Sequence, residues 1–144
     1  MSITVKNMLD AKGRNVVTVG PDKTLQEVAE ILNQNRIGAV VVVGSSGNIT
    51  GIFTERDLVR AIAGKGPAVL QQSVKSAMTA TVLRCREDFT VNQLMEMMTG
   101  KRFRHVPVEE GGKLVGIISI GDVVKSRIQE IEFEAEQIKA YIAG

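Results

Sequence analysis

Two short constellations in this chain pair a hydroxyl with a carboxylate three residues on: Thr54 with Asp57, and Ser119 with Asp122. Each follows a glycine and two apolar residues, Gly51-Ile52-Phe53 and Gly116-Ile117-Ile118, so one motif is written twice. A hydroxyl and a carboxylate at the start of a helix, where the first N–H groups lack intrahelical partners, can hold a polar ligand. The same spacing can also do no more than cap the helix, the hydroxyl accepting from the third N–H and the acid returning the bond. Aspartate is the shorter acid for that box, yet both copies use it. A second polar set is cationic: Arg84, Arg86, Lys101, Arg102, Arg104 and His105 gather in the later half of the chain. It reads either as a solvated face or as a pocket for phosphate.

Other chemistry is poorly supplied. Cys85 is the single cysteine and His105 the single histidine, so neither an internal disulfide nor a His/Cys zinc site can form within one chain. Cys85 ends a strand-like run, Thr81-Val82-Leu83-Arg84-Cys85, and reads as a small buried apolar residue. No Ser-His-acid order, metal cluster, phosphate loop or G-x-G-x-x-G occurs, and Glu109-Glu110 reads as part of a glycine turn with both carboxylates in solvent. The chain is read as a non-enzyme with no catalytic cofactor and no metal. A net charge of +2 and 3% aromatic residues argue against a nucleic-acid partner. The apolar run Ile37 to Val43 is too short to span a membrane, and Met1-Ser2-Ile3-Thr4-Val5-Lys6 starts no signal sequence, which points to a cytoplasmic protein.

The elements that must position the motifs repeat with them. Thr90, Leu94, Met95, Met98, Arg102, Val106 and Val108 stand 66 residues after Thr24, Val28, Ala29, Leu32, Arg36, Val40 and Val42; beyond the next turn the offset is 65. A one-residue difference in a surface turn is what two diverged copies of one fold tolerate. Each copy opens on a β-branched run, Val16-Val17-Thr18-Val19 or Thr81-Val82-Leu83, then starts a helix with capping-box spacing, Thr24 with Glu27 or Thr90 with Gln93. Leu25, Val28, Ala29 and Leu32, like Val91, Leu94, Met95 and Met98, put one apolar stripe on each helix. A hairpin follows, Ile37 to Val43 with Ile49 to Phe53, or Phe103 to Val108 with Leu114 to Ile118, and a second helix begins at Thr54 or Ser119.

Each unit is thus β-α-β-β-α with a helical lead-in, Val5-Lys6-Asn7-Met8-Leu9 or Val74-Lys75-Ser76-Ala77-Met78, and Gly64-Lys65-Gly66-Pro67 divides residues 1–66 from 67–144. A unit of roughly 60 residues buries too little apolar surface to be robust alone, so the two are expected to pack through their sheets as one α+β module with pseudo-twofold symmetry. The final helix runs on past the repeat. Val124, Ile128, Ile131, Ala135, Ile138 and Ile142 alternate spacings of four and three, a heptad seam that predicts a homodimer.

This order of elements and the paired motif G-h-x-[S/T]-x-x-D, with h apolar, resemble the cystathionine-β-synthase (CBS) domain. Nearly the whole chain, Val5 to Arg127, is similar to a stand-alone tandem pair, or Bateman module. The second copy carries the family-like segment Arg102-Phe103-Arg104-His105-Val106-Pro107-Val108; the first departs from it, reading Arg36-Ile37-Gly38-Ala39-Val40-Val41-Val42 without the proline. The resemblance implies a module that binds adenosine-containing ligands (AMP, ADP, ATP, NAD(H) or S-adenosylmethionine) in two clefts between the repeats and thereby regulates a separate effector protein allosterically. It implies that the helix at Thr54 or Ser119 faces phosphate, that Asp57 and Asp122 accept from ribose hydroxyls, and that Gly51 and Gly116 allow close backbone approach. It further implies crosswise sites: Thr54, Arg56 and Asp57 with Arg84, Phe103, Arg104 and His105; and Ser119 and Asp122 with Thr18, Ile37, Gly38 and Ala39. The cations would then favour the more highly charged ligand at the Asp57 site. The competing reading is a structural or interaction module whose nucleotide clefts are vestigial.

Overall fold

The computed structural model describes residues 2–101 and 103–143; Arg102, one of the cations above, lies outside them. In chain order the described elements are α1 (Val5–Lys12), β1 (Thr18–Val19), α2 (Leu25–Asn35), β2 (Ala39–Val43), β3 (Ile49–Thr54), α3 (Glu55–Lys65), α4 (Val91–Lys101), β4 (His105–Glu110), β5 (Lys113–Ser119) and α5 (Ile120–Ala143), with 3-10 turns at Pro67–Gln71 and Val74–Ser76. The architecture is α+β with two small sheets, β1-β2-β3 and β4-β5. Among the described residues no helix is long and apolar enough to cross a membrane.

Both expected capping boxes form. Thr24 N–H donates to Glu27 Oε1 and Glu27 N–H to Thr24 Oγ1, each at 3.1 Å. At α4 the pair Thr90 and Gln93 makes the same two bonds at 2.8 and 3.2 Å. Behind these starts, Leu25, Val28 and Leu32 pack with Val40, Val42 and Phe53, while Val91, Leu94 and Met98 pack with Val106, Val108 and Ile118. Each helix therefore buries its stripe on the hairpin that follows it. Both hairpins shift register at equivalent places, between Val42 and Val43 and between Val108 and Glu109. The one-residue change of offset falls in the turns, Gly44 to Asn48 in one and Gly111-Gly112 in the other, where φ of 58° and 79° suits only glycine well.

Several boundaries differ from the sequence reading. Ile37 N–H still bonds to Leu32 O at 3.1 Å behind a left-handed Arg36 at φ 52°, so β2 begins at Ala39; β4 begins at His105, not Phe103. Thr81-Val82-Leu83 is not a strand. The chain passes there from one compact unit to the other, and β-branched residues without an adjacent edge form no ladder. The parallel contact comes later, Cys85 beside Val108, at the positions equivalent to Val19 beside Val42. Glu109 and Glu110 do not lie in the turn: they end β4, half-buried, and both are engaged. Glu109 Oε1 accepts from Arg84 at 3.1 Å, and Glu110 Oε1 accepts from Glu87 N–H at 2.7 Å.

The two compact units are Val16–Val82, here the first, and Met1–Asn15 with Leu83–Gly144, here the second. They do not follow the linear split after Gly66, because each lead-in packs on the other repeat. In the second unit Val5 N–H donates to Phe89 O at 2.8 Å and Val91 N–H to Ile3 O at 3.0 Å, and Val5, Met8 and Leu9 enter the core. In the first, Val74 N–H donates to Lys23 O at 2.7 Å and Leu25 N–H to Gln72 O at 2.9 Å, with Val69 and Val74 in the core. A single turn or short helix cannot bury its apolar face alone, and the start of α2 or α4 offers it a backbone edge.

Candidate functional site

Thr54 and Ser119 stand where a strand becomes a helix, β3 into α3 and β5 into α5. The capping reading of the motif is realised in both copies. Thr54 N–H donates to Asp57 Oδ2 at 3.0 Å and Asp57 N–H to Thr54 Oγ1 at 3.1 Å. Ser119 N–H donates to Asp122 Oδ2 at 2.8 Å and Asp122 N–H to Ser119 Oγ at 3.2 Å. Aspartate reaches the cap despite its length, since extended backbone at Thr54 (φ −113°, ψ 164°) brings the N–H round to it.

Beyond the box the carboxylates differ. Asp57 is 7% exposed, and its Oδ1 takes only long contacts, from Arg60 at 3.4 Å and the Thr79 hydroxyl at 3.5 Å. Asp122 is paired with Lys12 of α1, whose ammonium donates to Oδ2 at 2.6 Å and to Ile117 O at 2.9 Å. Burial alone would raise the Asp122 carboxyl, but Lys12 and the Ser119 N–H outweigh it and hold the group below its ordinary value. Of these three donors Arg60 belongs to α3 itself, while Thr79 and Lys12 arrive on the swapped lead-ins. Neither Lys12 nor Thr79 stands out in the sequence; the available signal is that the lead-ins repeat at an offset of 69, Val5 to Val74 and Leu9 to Met78, against 66 for the repeats they precede.

The glycines of the motif make room for those lead-ins. A Cβ on Gly51 would stand 2.5 Å from Met78 Sδ and 2.9 Å from Thr79 O, and one on Gly116 would stand 2.6 Å from Leu9 Cδ2. Close approach is required, as the resemblance implies, but by the protein's own atoms: the side chains of Met78 and Leu9 and the carbonyl of Thr79.

The remaining candidates divide by unit. Thr18, Ile37, Gly38, Ala39, Thr54, Arg56 and Asp57 lie in the first; Arg84, Phe103, Arg104, His105, Ser119 and Asp122 lie in the second. The residues that the resemblance joins crosswise therefore belong to different units, while inside each unit the motif adjoins its own hairpin entry. Ala39 is the register partner of Thr54, and Glu55 N–H donates to Gly38 O at 2.9 Å. His105 is the partner of Ser119, and Ile120 N–H donates to Arg104 O at 2.8 Å. Thr18 pairs with Val41 in β1, and Ile37 and Gly38 line a cleft of about 480 Å³ beside Arg36 and Glu55. A second cleft, about 340 Å³, runs along α3 past Asp57, Arg60 and Lys65, within the range of small-ligand sites.

Of the cations, Arg84 is tied to Glu109 at 3.1 Å, and Arg86 reaches Asp88 at 3.4 Å and lies over the Phe89 ring at 5.0 Å. Arg56 and Arg104 are exposed and form no ion pair among the described residues. Phe103 and His105 are half-buried. The Cys85 thiol is buried; desolvation, with the charge of Glu110 adding to it, pushes its pKa up to about 12, the opposite of an activated nucleophile.

Comparison with known proteins agrees with this geometry. The family model of the CBS domain matches residues 8–64 and again 74–128. The CBS domain-containing protein CBSX3, mitochondrial, of Arabidopsis thaliana is 31% identical over 99% of this chain and 73% of its own length. The crystal structure of the CBS-domain containing protein ATU1752 from Agrobacterium tumefaciens superposes with a TM-score of 0.85 at 63% identity, covering 88% of this chain and 95% of that one. The CBS domain protein PAE2072 from Pyrobaculum aerophilum, complexed with AMP, gives 0.74 at 28% identity over 83% of this chain and 89% of that one. The chain belongs to the CBS domain family and carries two of its domains in tandem.

Proposed function

We propose that this chain is a regulatory module that senses an adenosine nucleotide, performs no catalysis of its own, and signals to a separate effector protein. The observation that carries the reading is a division of labour within each motif carboxylate. Oδ2 closes the capping box, whereas Oδ1 of Asp57 has only its two long contacts and Oδ1 of Asp122 accepts no hydrogen bond among the described residues. Capping and ribose binding thus use different oxygens, and the box holds the carboxylate ready for two ribose hydroxyls. Thr54 and Ser119 stand at helix N-termini, where a phosphate is favoured. The backbone at Gly38-Ala39 and Arg104-His105 supplies groups for the base.

AMP in the Pyrobaculum relative supports AMP as ligand, and the resemblance extends the class to ADP, ATP, NAD(H) and S-adenosylmethionine. The module acts in the cytoplasm as a homodimer. The test is a thermal-shift panel of these ligands on nucleotide-stripped protein. A ligand at a hundred times its Kd stabilises by about 2.7 kcal/mol, a shift of several degrees. If no adenosine compound moves the transition, and freshly purified protein carries nothing that absorbs near the adenine maximum, the clefts are vestigial and the protein is an interaction module.

A further inference from the structure

The helix α5 is held to its unit on one side only. Val123, Ser126 and Glu130 are buried there, and Glu130 Oε2 accepts from Ile3 N–H at 2.7 Å. Roughly a third of the way round the helix lies the apolar seam of Val124, Ile128, Ile131, Ala135, Ile138 and Ile142. Its large members are exposed, from 48% at Val124 to 78% at Ile142. Every residue from Ile131 to Ala143 is exposed, so about 20 Å of helix extends beyond its last buried residue.

We infer that a second copy of this chain covers the seam as a parallel, in-register pair of α5 helices. The inference rests on the homodimer reading and adds its orientation. In the heptad, Val124, Ile131 and Ile138 are d positions and Ile128, Ala135 and Ile142 are a positions, which places Arg127 and Glu134 at g and Lys125, Glu132 and Lys139 at e. A parallel pair meets layer against like layer along the whole seam. Its flanks then set Arg127 beside Glu132 of the second copy and Glu134 beside Lys139 of the second copy, every pair of opposite sign.

The antiparallel register that keeps every layer opposes Lys125 to Lys139, Glu132 to Glu132 and Glu134 to Glu134. The antiparallel registers that correct the charges each uncover two layers: Lys125 with Glu132 and Arg127 with Glu134 leaves Ile138 and Ile142 bare, and Glu132 with Lys139 leaves Val124 and Ile128 bare. Arg127 already donates to Glu130 at 3.1 Å through Nη1, which leaves the other arm of its guanidinium for Glu132 of the second copy. Ala135 at the middle layer fills too little volume for the wider core of three helices.

The experiment is sedimentation of the full chain over a concentration series, without nucleotide, for wild type, Lys139→Glu, Glu134→Lys with Lys139→Glu, and Ile138→Glu, with circular dichroism to establish that each is folded. Lys139→Glu should weaken dimerisation roughly tenfold, the double variant should return it to within about twofold of wild type, and Ile138→Glu should be monomeric. Ile142→Cys should crosslink readily to its counterpart on oxidation, the native Cys85 being buried. Tighter association of Lys139→Glu would establish the antiparallel pair. A wild-type monomer, a trimer, or a dimer indifferent to Ile138→Glu would each overturn the inference, and the last would leave a dimer through another face. None of these outcomes bears on nucleotide binding, which the thermal-shift panel decides separately.

Discussion

The two motif copies share one backbone solution and differ in what the lead-in brings to them. Around Asp57 the incoming segment contributes a hydroxyl, Thr79, at the 3.5 Å limit of a hydrogen bond; around Asp122 it contributes an ammonium, Lys12, at 2.6 Å. The first carboxylate is nearly buried and loosely held at Oδ1, whereas the second is more open, its side chain 24% exposed, and already neutralised. A repeated motif thus fixes the helix start equally in both units, while the charge available to a ligand is set by residues outside it. Lys12 meets Asp122 at 2.6 Å from the lead-in, whereas the cation at Asp57, Arg60, stands farther off at 3.4 Å and comes from its own helix.

The largest expected effect tests whether both copies bind at all. Asp57→Ala and Asp122→Ala should each weaken one ligand site by about 1.5–3 kcal/mol, roughly tenfold to a hundredfold in Kd. Calorimetry on each variant should show one affinity lost and the other kept; unchanged stoichiometry and affinity in either would reduce that aspartate to a cap.

The next test concerns the lead-ins. Gly51→Ala drives a methyl into Met78 and the backbone carbonyl of Thr79, whereas the three atoms nearest a methyl at Gly116 all belong to the Leu9 side chain. Overpacking of this kind costs about 1–3 kcal/mol, and the larger loss should fall at Gly51, because a carbonyl cannot rotate away. Urea unfolding that ranked Gly116→Ala as the more damaging would mean that the lead-ins yield differently from their geometry.

Electrostatics should separate the copies more gently. The Asp122 pKa is lowered in the folded protein, so its contribution to stability is present above the unfolded value near 3.9 and is lost as pH falls through the lower folded value. Lys12→Met should remove about 0.5–1 kcal/mol at neutral pH, screened because the lysine is about one-third exposed, and should flatten the loss of stability below about pH 4. A variant with the wild-type pH profile would show that the pair contributes nothing. Thr79→Val should be the mildest change, under about 0.5 kcal/mol, as a bond of 3.5 Å is marginal. If chemical denaturation found it as damaging as Lys12→Met, the asymmetry between the copies would be wrong.

Local pattern was enough wherever one segment settles its own structure. Thr24 with Glu27 and Thr90 with Gln93 close boxes within four residues, and a 3.6-residue stripe declares which helix face is buried. The repeat, both hairpins, the helix starts at Thr54 and Ser119 and the long α5 seam were legible for that reason. The tertiary structure alone decided the rest. Thr81-Val82-Leu83 has strand composition but no neighbouring edge to pair with, and Glu109 and Glu110 left the turn because a two-glycine turn lets the ladder run on to Lys113. The exchange of lead-ins could not be read locally. Which core accepts Leu9 or Met78 depends on where Gly116 and Gly51 leave space, and that exchange is what puts Lys12 on Asp122 and Thr79 on Asp57, contacts between residues 110 and 22 positions apart.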